Sequence, residues 1–121
     1  MRLKSLPKSS QHTATSTGVV IWPGAEILCA FICANEQMFK AKTVLELGSG
    51  VGLCAICAAY VSAKVVASDG DQSSLQLLRE NIREHFLQHP SISAPEVRTL
   101  LWGNQSDVME KFSVIIGADI T

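Results

Sequence analysis

Apolar and polar positions along this chain alternate between short apolar runs and helical stripes. Residues 43–47 are a β-branched, apolar run that breaks into Gly48-Ser49-Gly50-Val51-Gly52. A small-residue apolar segment, Leu53-Cys54-Ala55-Ile56-Cys57-Ala58-Ala59-Tyr60, follows at once. This succession predicts strand, tight turn and helix ending near Ser62, the opening of a βαβ unit. Residues 64–69 predict a second strand. After Asp71, a capping residue type, Leu75, Leu78, Ile82 and Phe86 form a stripe at i, i+3, i+7 and i+11, which predicts a helix. Residues 96–102 and 112–119 predict a third and a fourth strand. Upstream, residues 18–21 read as extended. Trp22-Pro23-Gly24 turns into a helix, with Pro23 in the first turn and Ile27, Leu28, Phe31, Ile32 and Met38 near helical spacing. The order of elements predicts an α/β fold with a parallel, doubly wound sheet.

Composition narrows the class. The chain has 121 residues, 47% hydrophobic and 17% charged, which suits one domain with a real core over residues 18–121. Residues 1–17 are Ser/Thr-rich, carry Arg2, Lys4 and Lys8 without an acid, and read as a flexible tail. A transit peptide would share that composition, but one Arg and weak amphipathicity argue against mitochondrial import. The net charge of −1 gives no basic field to recruit nucleic acid, and no apolar run approaches the roughly 20 residues of a membrane span. The expected compartment is the cytoplasm, with the nucleus as a further possibility.

Four cysteines, Cys29, Cys33, Cys54 and Cys57, stand at CxxxC and CxxC spacings that invite a zinc reading. Both pairs sit in apolar, helix-like segments with no aspartate or histidine close by in sequence. The expectation is therefore four free thiols acting as small buried hydrophobes, with no metal.

The glycine turn predicts a nucleotide-like ligand, because glycine leaves no side chain between backbone and ligand. A phosphate loop requires Gly-Lys-Ser/Thr, and here Leu53-Cys54 follows Gly52. A dinucleotide fold requires GxGxxG, whose third glycine would stand at Leu53. S-adenosylmethionine fits better. Its motif is an acid, GxGxG, and a second acid at the end of the next strand, matched by Glu46, residues 48–52 and Asp69. Asp69 lies 21 positions after Gly48, a spacing suited to a carboxylate that accepts from both ribose hydroxyls. Asp71 is the other acid that could take this part.

With these residues, the chain resembles the seven-β-strand protein-lysine methyltransferases, the group acting on calmodulin, chaperones and elongation factors. The markers are Trp22-Pro23, residues 44–52, Ser68-Asp69, Leu101-Trp102-Gly103 and Ile116-Gly117-Ala118-Asp119. The resemblance implies a Rossmann-like sheet in strand order 3-2-1-4-5-7-6, of which strands 1 to 4 are represented here. It implies Trp22 flanking S-adenosylmethionine, with Gly48, Ser49, Gly50 and Gly52 around its methionine portion. Asp69 is then on the ribose, Trp102 beside the adenine, and Ala118 and Asp119 at the end of strand 4. Asp119 is the candidate for positioning the substrate amine.

Two departures stand out. Leu101 occupies a position that is often acidic, so a polar adenine contact there falls to backbone. The tyrosine of the family's Asp-x-x-Tyr motif would stand beyond Thr121. The expected activity is methyl transfer to a protein lysine. The alternative is an inactive short form or fragment with weak cofactor binding or an interaction role. Strand 4 is expected to expose an apolar edge, open to aggregation or to a covering partner or chaperone.

Overall fold

The computed structural model describes residues 23–103 and 110–120. Helix α1 spans Pro23–Ala34, and a 3-10 turn covers Glu36–Met38. Strand β1 is Thr43–Leu47, α2 Leu53–Ala59, β2 Lys64–Asp69 and α3 Gln72–Gln88. Strands β3, Glu96–Thr99, and β4, Val114–Gly117, complete the order. The expected third and fourth strands were longer at both ends or one. Trp102 lies past the end of β3, and Phe112 and Asp119 lie outside β4.

The four strands form one parallel sheet in the order β3-β2-β1-β4. The parallel sheet with alternating helices expected from the sequence is thus observed. β1 is central, with Leu45 opposite Val66 on one side and Ile115 on the other. The chain reverses its direction of travel across the sheet between β1 and β4. In an open α/β sheet such a reversal opens a crevice at the carboxyl ends of the strands.

Burial follows the pleat. Val44, Val65, Ala67 and Ile116 pack against Ile32 of α1, Cys54, Ala55, Ile56, Ala58 and Ala59 of α2, and Leu75, Leu78, Ile82 and Phe86 of α3. The described helices therefore lie on one face. Leu45, Val66 and Leu100 form a smaller cluster on the other, joined by Leu47 and Phe112. The α3 stripe is buried as its spacing predicts, and Asp71 caps the helix through Oδ2, which accepts from the Ser74 N–H at 2.9 Å.

The apolar face of α1 behaves differently. Ile27 is 71% and Phe31 44% exposed, and only Ile32 of this helix is fully buried. Helical spacing shows that residues share a face; it does not show that anything covers it. Among the described residues β4 pairs with β1 alone, and Ile115, in register with Leu45 on the second face, is 61% exposed. No described helix is long and apolar enough to cross a membrane.

The cysteines correct the expectation of four free thiols. Facing helices α1 and α2 bring Cys29 and Cys57 to a Cα–Cα distance of 6.1 Å, and the two form a disulfide. Spacing along the chain cannot reveal such a pairing between helices. Closing a loop of this length stabilises a fold by roughly 3–4 kcal/mol in the chain-entropy account.

Candidate cofactor site

Every described candidate residue stands at the carboxyl end of a strand or in the loop just after it. β1 runs into the glycine turn, where Gly48, Gly50 and Gly52 have φ of 63°, 56° and 101°. Two of these positions require glycine for separate reasons. A Cβ on Gly48 would meet Ile120 Cγ2 at 3.0 Å. A Cβ on Gly52 would meet Leu78 Cδ1 at 2.8 Å, inside the core. The first glycine keeps the upper surface of the turn low; the second lets α2 start hard against α3.

The turn is braced onto β2. Ser49 N–H donates to Ser68 O at 2.8 Å, and Ser68 N–H donates to Ser49 Oγ at 3.1 Å. Ser68 Oγ donates to Glu46 O at 2.6 Å, and Asn81 Nδ2 of α3 donates to Val51 O at 2.8 Å. Ser49 is therefore a buried brace of the turn. Ser68, which the sequence offered only as a family marker, and Asn81, which sequence reading missed, share that task. Their signal was only a polar residue inside an apolar strand and another on the buried face of a helix.

Asp69 ties the next strand end to the same turn. Its Oδ2 accepts from Gly50 N–H and its Oδ1 from Asp71 N–H, each at 3.0 Å. Each carboxylate oxygen can accept a second hydrogen bond, so Asp69 can hold the turn and a ligand hydroxyl together. Asp71 is committed to Ser74, whose N–H and Oγ both donate to its Oδ2.

Glu46 is 3% exposed. Burial pushes its carboxyl up to about 7 from an ordinary 4.5. Hydrogen bonding to Ser49, Cys54 and the Ala55 backbone opposes the rise, and the charge of Asp69 adds to it. Its Oε1 has no hydrogen-bond partner among the described residues. The raised pKa means that the folded chain holds this proton more tightly than the unfolded one. The stability this contributes is full below pH 4.5 and is lost as pH rises through 7, by roughly 3 kcal/mol across the window. Glu46→Gln is expected to flatten that slope and to leave the variant more stable than the parent above pH 7. Urea unfolding midpoints of both proteins across the window check it; parallel slopes would contradict it.

Trp102 stands beside the turn, its Cζ2 3.9 Å from the position a Cβ on Gly48 would take, and it is 59% exposed. Ile120 flanks the same glycine and also covers Gly117, where a Cβ would meet Ile120 Cδ1 at 2.6 Å. Nothing in the sequence singled out Ile120, because an isoleucine after a strand-end aspartate reads as loop. Ala118 is half-buried at the end of β4. Asp119, at φ 53°, turns back across the molecule, and its Oδ2 accepts from Gly24 N–H at 2.9 Å. It caps the first turn of α1 from a position 95 residues away, leaving Oδ1 for a second donor. Trp22 lies outside the described residues.

Of the remaining polar features, a cleft of about 310 Å³ lies at the opposite end of the sheet, lined by Ser62, Lys64, Ser93 and Glu96 among others. The Sγ atoms of Cys29, Cys33 and Cys57 lie within 4.8 Å of one another, a donor set suited to a soft metal, but the disulfide withdraws two of them.

Residues 5–121 match the sequence profile of a family described as lysine methyltransferase. The chain belongs to this lysine methyltransferase family. A Danio rerio protein N-lysine methyltransferase METTL21A is 36% identical over 103 residues, covering 84% of this chain and 46% of the relative. An Arabidopsis thaliana calmodulin-lysine N-methyltransferase is 31% identical over 118 residues, covering 93% of this chain and 38% of the relative. The chain thus spans less than half the length of these lysine methyltransferases. Among solved structures, the ribosomal protein L11 methylase from Lactobacillus delbrueckii subsp. bulgaricus superimposes with a TM-score of 0.63 at 23% identity, over 81% of this chain and 47% of that one. That likeness shows the fold.

Membership of the lysine methyltransferase family implies S-adenosylmethionine as methyl donor, and the residues present fit it. Gly48 adds no side chain of its own to the crevice, where Ile120 and Trp102 lie beside it. Glu46 offers a buried carboxylate oxygen without a partner, and Asp69 offers spare acceptor capacity at the end of β2. Trp102 offers an exposed aromatic face beside the turn.

Proposed function

We propose that this chain binds S-adenosylmethionine at the crevice over the Gly48–Gly52 turn and serves methyl transfer to a protein lysine side chain. The observation that carries the reading is the hydrogen bond from Gly50 N–H to Asp69 Oδ2, which joins the glycine turn and the strand-end acid into one unit. Bound S-adenosylmethionine supplies an electrophilic methyl group on a sulfonium sulfur.

In this reading Asp69 accepts from the ribose hydroxyls and Glu46 accepts from a donor on the methionine portion. Trp102 stacks on the base, and the backbone of the turn at Gly48 and Gly50 lies against the methionine portion, while Gly52 serves the turn by packing on Leu78. Trp22 flanks the cofactor. A lysine amine reacts only when neutral, so the site must orient it and take up its proton. Asp119 Oδ1 is the proposed acceptor of an amine proton, while Oδ2 keeps α1 against the end of β4. Ala118 closes the same wall.

A second reading is cofactor binding without methyl transfer. Incubation of the purified chain with methyl-labelled S-adenosylmethionine and calmodulin or an elongation factor separates the two. Label recovered as methyl-lysine is the expected result. Label on any other residue type would contradict the lysine assignment, and binding without transfer would select the second reading.

A further inference from the structure

Three of the four cysteines converge at one place that the proposed methyl transfer does not use. Cys29 and Cys33 stand one helical turn apart on α1, and Cys57 faces them from α2. Cys29 and Cys57 are half-buried and joined; Cys33 is a free, exposed thiol whose Sγ lies within 4.8 Å of both their sulfurs. The fourth, Cys54, is set apart. It is buried, donates to Ala25 O at 3.2 Å, and burial pushes its thiol far up, so it supplies no thiolate.

We infer that Cys33, Cys57 and Cys29 form a thiol–disulfide relay in which Cys33 is the entry thiol for a small-molecule disulfide of the glutathione class. Exchange proceeds through attack of a thiolate on a disulfide sulfur, so access to the first thiol sets which cysteine reacts. The Cys33 thiolate attacks glutathione disulfide, forming a Cys33–glutathione bond and releasing one glutathione thiolate. The Cys57 thiolate then attacks Cys33 Sγ, forming Cys33–Cys57 and releasing the second. The Cys29 thiolate attacks Cys57 Sγ, forming Cys29–Cys57 and returning Cys33 as a thiolate. Two protein thiols are oxidised, one glutathione disulfide is reduced to two thiols, and Cys33 is regenerated. The product covalently joins α1 to α2. These are the helices that begin, respectively, at the Asp119 contact and at the glycine turn.

The test follows re-oxidation of the fully reduced, folded chain by glutathione disulfide, with acid quenching, alkylation and peptide mapping by mass spectrometry. The expected result is a transient glutathione adduct on Cys33 and a final Cys29–Cys57 pairing. Cys33→Ser is expected to reach the same pairing at least tenfold more slowly. In the Cys29→Ser/Cys57→Ser double variant the Cys33 adduct is expected to accumulate. In denaturant the difference between parent and Cys33→Ser is expected to vanish, because it depends on folded proximity. Oxidation of Cys33→Ser at the parent rate under folding conditions, or a first adduct on Cys29 or Cys57, would overturn the relay.

Discussion

Gly52→Val is expected to cost the fold about 2–5 kcal/mol, a large share of the roughly 5–15 kcal/mol that separates folded from unfolded chains. Two effects add. At φ 101° a β-branched residue is held in a region its side chain excludes, at roughly 1–2 kcal/mol. Its Cβ would also lie 2.8 Å from Leu78 Cδ1. Leu78 is fully buried in the main core, so it cannot swing clear, and overpacking of this kind costs roughly 1–3 kcal/mol. Gly103→Val supplies the comparison. It has φ 88°, but among the described residues a Cβ there meets nothing within 4 Å, so the backbone penalty is the one expected. Urea unfolding followed by circular dichroism reads both. Equal losses for the two variants would remove the packing argument.

The largest effect on binding is expected at Asp69. Asp69→Ala removes the acceptor for Gly50 N–H and Asp71 N–H and, in the proposed complex, for the ribose hydroxyls. Hydrogen bonds to a charged group are worth roughly 1.5–3 kcal/mol each, so affinity for S-adenosylmethionine is expected to fall about 100-fold or more. Asp69→Asn keeps one acceptor oxygen for the turn but loses the charge and half the capacity, and is expected to fall between the two. Calorimetry gives the affinities, and a melt of each variant separates a weakened site from a weakened fold. An unchanged affinity in Asp69→Ala would move the ribose contact elsewhere.

Much of this was legible in the sequence because local pattern and tertiary role agree. The α3 stripe, the Asp71 cap, Pro23 at the head of α1 and the run into the glycine turn each state a local preference that the fold keeps. The adjacency of β1, β2 and β3 also follows, since short βαβ units place successive parallel strands side by side, whereas β4 beside β1 was implied only by the family resemblance. What stayed hidden is what distant segments do to one another. Nothing near Cys29 announces Cys57, and nothing near Asp119 announces the Gly24 N–H that it caps. Ile27 and Phe31 carry the right period for a buried face, yet burial depends on whether another element arrives to cover it. Ser49 sits in the ligand motif by sequence, but its hydroxyl turns inward to Ser68.

The central claim is that the Gly48–Gly52 turn and Asp69 form one cofactor cradle. The most direct measurement is the amide NMR spectrum of the chain titrated with S-adenosylmethionine and, separately, with a nicotinamide dinucleotide. The account predicts that S-adenosylmethionine shifts the Gly48, Gly50, Gly52 and Asp69 amides and the Trp102 indole, and that the dinucleotide leaves them in place. No shift with S-adenosylmethionine, or shifts confined to the cleft around Lys64 and Glu96, would contradict it.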